Sequence, residues 1–521
     1  LILAVILAMA APAPAHADRT LSGDTVRAAR LLAAARYDEA RKLIADLAKR
    51  APDQPDIKWL GAELAFHDGK YVEAVLALEG VANTAVNGMA GLTRRLATQS
   101  FAITAPFLVA MSSGGHFEIH YAPGPDEVIV ALAGEVLERA YEAYRDDLGW
   151  VPSAPVRVEL LGAPSDLAKL SPLTEQEIET TGTIALSKYN KLMVVSPRAT
   201  VFGYPWMDTL AHEYLHMVVS QLSHDEVPIW LHEGLARFQQ ARWRAAPGVV
   251  ALGAAERQLL VTAARRGRLI SLDEMHPSIA KLPSQEAAAL AYAEVLTLVQ
   301  WLHGKIGYAG LRDVIARQKD GKSARRAISD VVGKSFTKIE REWKATLRGV
   351  DAGGGKAGKT RRIHFAKGGK RGDDNLGVDQ VASAKARKHA RLAGMMRARG
   401  MLDAAVVEYD RAIAAGGSDP YLTGKLARTM LDLGKPDRAA ELAGPLVAAD
   451  ETDAVAAVTL GLARAAGSSW AEAATAFELA LRVSPFDPAV RCGLADAYEQ
   501  VKHANATRER EACDRLRGAA P

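Results

Sequence analysis

Residues Thr209 to Met217 read TLAHEYLHM and residues Ile229 to Ala236 read IWLHEGLA, and what these two stretches need from each other decides the fold. Positions four apart on a helix share one face, so His212 and His216 present their imidazoles to a single point, with Glu213 adjacent. This HExxH spacing suits zinc, held about 2.0–2.1 Å from each nitrogen, with an open position for a water whose proton Glu213 takes. Ser223 to Val227 turns the chain, and Pro228 suits a first helical turn, where its missing N–H costs little. A helix returning antiparallel to the first can then supply Glu233 as a third ligand, with sixteen residues between His216 and Glu233. The chain has two cysteines, Cys492 and Cys513, so no thiolate cluster competes and a metal must use histidine and carboxylate.

The run Trp230-Leu231-His232-Glu233-Gly234-Leu235-Ala236 after HExxH resembles the segment that carries the third zinc ligand in gluzincin metallopeptidases, in particular the gluzincin aminopeptidases. The resemblance covers about 115–345. It implies one zinc per chain held by His212, His216 and Glu233, with Glu213 as general base. His232 stands where those aminopeptidases usually have Asn and is a rival ligand, but on a helix its side chain leaves about 100° away from Glu233. The metzincin alternative fails, because it places its third histidine at Leu222 and not at His224. Farther on, Ala291 to Leu302 reads as a helix ending near Gly304, similar to the aminopeptidase helix that opens with a catalytic tyrosine. That likeness gives Tyr292 a hydrogen bond to the oxyanion, with a plain core tyrosine as the alternative. Thr181-Gly182-Thr183-Ile184-Ala185 carries none of the acids by which aminopeptidases hold a free amine. The segment is expected instead to be an edge strand that pairs with an extended peptide, and endo- versus exopeptidase action stays open.

Upstream of the two helices the texture is that of a sheet. Phe117 to Tyr121, Val156 to Leu161, Gly182 to Leu186 and Leu192 to Ser196 read as strands, and Val128 to Leu148 as a helix. A small mixed sheet followed by helices makes 115–348 an α+β unit, and the resemblance makes it a zincin-like metallopeptidase core. Both flanks repeat. Tyr37-Asp38-Glu39-Ala40 recurs 34 residues later as Tyr71-Val72-Glu73-Ala74, and Ala405, Ala439 and Ala473 are spaced by the same 34. That is the tetratricopeptide period, in which small residues let paired helices approach and each pair buries its apolar face against a neighbour. All-α tetratricopeptide-like repeats are thus expected over 22–110 and 385–517.

Residues 349–383 form a basic, Gly-rich linker, with Lys356, Lys359, Arg361, Arg362, Lys367, Lys370 and Arg371 against few acids. It reads as a solvated tether, with an anionic surface as the weaker alternative partner. Leu1 to Ala11 is apolar and Ala15-His16-Ala17 offers small residues at a signal-peptidase site, so 1–17 is expected to be a cleaved signal peptide and the protein periplasmic or secreted. No segment reads as a membrane span. In that setting Cys492 and Cys513 are either bonded or two separately buried thiols. A net charge of +4 on 521 residues gives no reason to expect nucleic acid. These readings converge on an exported zinc peptidase acting on peptide or protein substrates, with repeats that recruit substrate or a protein partner. The alternative is a repeat scaffold whose peptidase-like domain is structural.

Overall fold

The computed structural model describes residues 16–246, 252–350, 363–366, 377–378, 381–416 and 419–518. The expected signal segment lies outside these residues except for its last two positions, and so does most of the linker. The chain begins in helices α1 (His16–Ala33), α2 (Tyr37–Arg50), α3 (Pro55–His67), α4 (Tyr71–Ala77) and α5 (Met89–Thr104). Ala40, Ile44 and Leu47 of α2 recur at helical spacing and pack on Leu31 and Leu32 of α1 and Ile57, Leu60 and Leu64 of α3.

A five-stranded mixed sheet follows, built from β1 (Leu108–Met111), β2 (Phe117–Tyr121), β3 (Val156–Leu161), β4 (Ala185–Lys188) and β5 (Lys191–Val195) in the order β1-β2-β3-β5-β4. The inner pairs β2–β3 and β3–β5 are parallel and the outer pairs β1–β2 and β4–β5 antiparallel. Every residue of β5 is buried, as expected for a strand covered on both faces. Helices α6 (Glu127–Leu148), α7 (Pro164–Leu170) and α8 (Glu175–Thr181) connect the strands. The helical half comprises α9 (Trp206–Ser223), α10 (Ile229–Gln239), α11 (Ala254–Arg265), α12 (Gln285–Lys319), α13 (Ala324–Val332) and α14 (Phe336–Gly349). Sheet and helices share one apolar core, in which Phe117, Val158 and Leu192 meet Leu210, Tyr214, Leu235 and Leu296. This is the α+β core expected from the sequence.

The C-terminal helices pair as α15 (Ala384–Ala398) with α16 (Leu402–Gly416), α17 (Pro420–Asp432) with α18 (Pro436–Ala449), α19 (Ala454–Ala466) with α20 (Trp470–Leu481), and α21 (Pro488–Gln500) with α22 (Ala506–Gly518). Ala405, Ala439 and Ala473 are all fully buried where helices meet. Gly461 and Gly493 make a slot for Phe477, whose ring lies 2.8 Å and 2.3 Å from the Cβ that alanine would place there. Cys492 and Cys513 form a disulfide between α21 and α22.

Both flanks are attached to the core. On the N-terminal side the Tyr71 hydroxyl donates to Glu159 of β3, Lys191 Nζ donates to that hydroxyl at 2.6 Å, and Arg157 Nε donates to Glu159 at 2.7 Å. On the C-terminal side Trp206, the first residue of α9, donates its indole N–H to the Leu481 carbonyl at 3.1 Å. Arg491 donates to Glu509 at 2.6 Å and to the Val128 carbonyl at 2.8 Å. The linker, read as a solvated tether, is anchored where it is described: Val378 and Val381 are buried with Ala386, Ala390 and Leu422, and a second contact lies at 363–366. Ile363–Ala366 runs antiparallel to Ala199–Val201, with Val201 N–H donating to His364 O and Ala366 N–H to Ala199 O, each at 2.8 Å. Ile363 N–H also donates to the Gln285 side chain at 3.1 Å. Among the described residues no helix is long and apolar enough to cross a membrane.

Candidate metal centre

The two ligand-bearing helices are held by their neighbours before any metal is considered. The buried Tyr144 hydroxyl of α6 faces the carbonyls of Ala211 in α9 and Gln239 in α10, at 3.1 and 3.0 Å. Asp208, in the first turn of α9, accepts from Arg244 at 2.7 Å and from the Trp243 indole at 2.9 Å. Gly234 lets α10 lie against α12, because a Cβ there would fall 2.8 Å from Val299 and 2.9 Å from the Val295 carbonyl. Packing therefore requires the glycine that follows Glu233 in the sequence motif. Pro228 sits at the N-cap of α10 in extended conformation, one residue before the helical turn in which it was expected.

The fold brings His212, His216 and Glu233 together. His212 Nε2 lies 3.1 Å from His216 Nε2, and Glu233 Oε2 lies 3.3 Å and 3.4 Å from those two nitrogens. A tetrahedral zinc with bonds of 2.0–2.1 Å separates its ligand atoms by ~3.3 Å, so this triangle has the dimensions of one face of the coordination tetrahedron. Glu233 Oε2 is buried and accepts no hydrogen bond, as suits an oxygen reserved for a cation. The residues fit zinc. Burial works against ionisation of Glu233, yet His216 and then His212 hold it well below the usual carboxylate range.

Glu213 shares the cluster, with ligand atoms of His212, Glu213 and His216 all within 4.8 Å of one another. Burial pushes its carboxyl up to about 7, with His216 opposing and Glu233 adding to the rise, while a hydrogen bond with the Ser187 backbone works downward. That contact places β4 over the site, and neither periodicity nor motif in the sequence signals it. Tyr292 lies within electrostatic range of the cluster. Its phenol is raised by burial and then by Glu233 and Glu213, with Arg237 opposing. The expected helix start is corrected: α12 begins at Gln285 behind a Ser284 cap, so Tyr292 lies two turns inside it. The helix also runs past Gly304 to a kink at Gly307, where φ is 59°.

His232, the rival ligand, does not face the metal position. Its Nδ1 lies 2.5 Å from Nδ1 of His216, and its Nε2 lies 3.3 Å from Ser220 Oγ. It backs His216 on the side opposite the nitrogen that faces Glu233. Burial, and then His216, push its imidazole down to about 3, so it is neutral.

Residues 139–349 match the family described as the Peptidase MA superfamily. No curated protein matches the chain significantly. Among solved structures, the chain is similar to the Sgt2 TPR domain from Aspergillus fumigatus, at 23% identity over 27% of this chain and 86% of that one, with a TM-score of 0.23. It is also similar to a thermophilic TPR protein of Thermus thermophilus, at 23% identity over 26% of this chain and 75% of that one, with a TM-score of 0.24.

Proposed function

Because residues 139–349 form a Peptidase MA superfamily domain, we propose that the chain is a zinc-dependent peptidase that hydrolyses peptide bonds in protein or peptide substrates. The observation that carries this reading is the triangle of His212, His216 and Glu233 with Glu213 beside it. When bound there, zinc lowers the pKa of a water and polarises the scissile carbonyl. Glu213 takes the proton of the attacking water and returns it to the leaving nitrogen. Tyr292 donates a hydrogen bond from its phenol to the carbonyl oxygen as that oxygen becomes anionic. The substrate lies extended along β4, an edge strand whose outer side has no neighbour in the sheet among the described residues.

The repeats at either end recruit substrate or a partner protein. Export to the periplasm or exterior is the matching compartment, supported by the Cys492–Cys513 disulfide and by the apolar start of the sequence. The test is zinc analysis of the purified chain together with a cleavage profile on a mixed peptide library. About one zinc per chain and chelator-sensitive cleavage are expected, and the cut positions assign endo- or exo-action. A folded chain that binds no zinc and cuts nothing would leave the repeat scaffold as the better reading.

A further inference from the structure

His232 touches a metal ligand without facing the metal, and the proton positions this imposes can be followed outward. If His216 gives its Nε2 lone pair to zinc, its proton sits on Nδ1. The atom opposite that proton is Nδ1 of His232, which must offer a lone pair, so His232 carries its own proton on Nε2. That N–H faces Ser220 Oγ at 3.3 Å, and the Ser220 hydroxyl donates to Asp225 Oδ1 at 2.8 Å. All three hydrogen bonds point the same way, from the ligand to a carboxylate.

The turn between α9 and α10 is shaped to end the chain there. His224 and Asp225 both adopt left-handed backbone, with φ of 55° and 62°, and Asp225 N–H donates to the Ser220 carbonyl at 2.9 Å. Asp225 is thus bonded to Ser220 through both backbone and side chain. The two rings lie nearly coplanar and edge to edge, with centroids 4.7 Å apart and planes 23° from parallel, as an in-plane bond between the two Nδ1 atoms requires.

We infer that His232, Ser220 and Asp225 form a hydrogen-bond chain that positions His216 and strengthens it as a metal ligand, with His232 a positioning residue rather than a ligand. The inference rests on the metallopeptidase reading of the same site. Outer partners of this kind typically change metal affinity about 10–100-fold when removed.

The experiment measures zinc affinity of the full chain by competition with a chelating dye, and the visible spectrum of the cobalt-substituted protein. His232→Leu is expected to bind zinc roughly 10–100-fold more weakly and to shift the cobalt spectrum. His232→Asn, which again offers His216 an acceptor, should restore most of the affinity. Ser220→Ala and Asp225→Asn should weaken zinc in the same direction by less. Wild-type affinity and an unchanged cobalt spectrum in folded His232→Leu would overturn the inference. Equal and complete zinc loss in His232→Leu and His232→Asn would make His232 a ligand and overturn it too. Silence of both Ser220→Ala and Asp225→Asn would cut the chain at His232. If His232→Leu does not fold, the Asn variant and the two outer variants decide. A wild-type protein that binds no zinc sinks the metallopeptidase reading itself, whereas zinc binding with peptide cleavage but indifferent variants sinks this inference alone.

Discussion

Glu159 and Glu233 are both buried carboxylates ringed by nitrogen-bearing side chains, and the difference between them separates structure from chemistry. Around Glu159 the positive charge comes from Arg157 and from Lys191, whose amine burial pushes down to about 8. Although burial opposes it, Lys191 and then Arg157 hold Glu159 below the usual carboxylate range. The result ties the N-terminal helices to β3 through Tyr71. Around Glu233 the partners are imidazoles, and in the form that binds metal His212 and His216 are neutral and aim lone pairs at the point where Glu233 Oε2 aims its own. Once neither Nε2 carries a proton, three acceptors converge without a donor, an arrangement that a cation among them satisfies. Glu294 shows a third solution. It makes no ion pair among the described residues, and burial pushes it up to about 8 against the Ile270 hydrogen bond and Lys344, so it stays protonated at neutral pH while accepting from the Ile270 N–H at 2.9 Å.

The largest effect should come from Glu213→Gln. Removing the general base is expected to lower kcat roughly 10²–10⁴-fold while zinc content stays at the wild-type value, and a variant that cleaves peptides at the wild-type rate would refute the assignment. Next comes Glu159→Leu, which leaves Arg157 and Lys191 buried without their counter-charge. Breaking a buried pair in this way costs about 3–5 kcal/mol, to be read from denaturant unfolding, and the intact fraction should bind zinc normally. Tyr292→Phe tests the oxyanion role, with kcat reduced about 10²-fold and zinc affinity unchanged; a loss confined to stability would return Tyr292 to the core. For Glu294 the folded pKa lies above the unfolded one. Its contribution is therefore complete below the ordinary carboxylate range, is lost at about 1.4 kcal/mol per pH unit as pH rises toward 8, and is flat beyond. Glu294→Gln should flatten that part of the stability–pH profile, and parallel profiles would count against it. The smallest effect is expected from Glu233→Leu in zinc-free protein. His212 and His216 can shed a proton where Arg157 cannot, so the loss of unfolding stability should be smaller than in Glu159→Leu, although metal binding is lost. A destabilisation as large as that of Glu159→Leu would erase the contrast between the two clusters.

The meeting of His212, His216 and Glu233 was legible because it depends on local spacing and a short return. His212 and His216 share a helical face at any position in a fold, and the Trp230–Ala236 run announces the returning helix. The strand pattern of the parallel centre was equally plain, since β2 and β3 alternate apolar with polar residues and β5 is a buried, mostly apolar run. What the sequence hid depends on tertiary approach. Ser187 reaches Glu213 only because β4 is folded over α9, and Tyr144 holds α9 and α10 together from a helix far away in sequence. β1 escaped notice because Leu108–Met111 is short and mostly exposed, without the alternation that marks a half-buried strand. The course of α12 was misread at Gly304, because a glycine inside a helix carries only a modest penalty that packing overrides. Ile363–Ala366 lies in a stretch whose composition says tether, and four residues with one bridge leave no periodicity to detect.

The bond from the Trp206 indole to Leu481 bears on how the chain can be taken apart. The helix that carries both histidines begins against the carbonyl end of α20, and the Tyr204 N–H donates to Val483 O at 3.2 Å just before it. Phe477, Leu481 and Leu494 of the repeats belong to the same apolar core as Leu210 and Leu235. Truncating the C-terminal helices would thus strip one wall from α9, and lost turnover in such a fragment would report an unsupported scaffold rather than failed recruitment. The proposed recruitment is separable from catalysis here by surface substitutions on the repeats, and not by scissors.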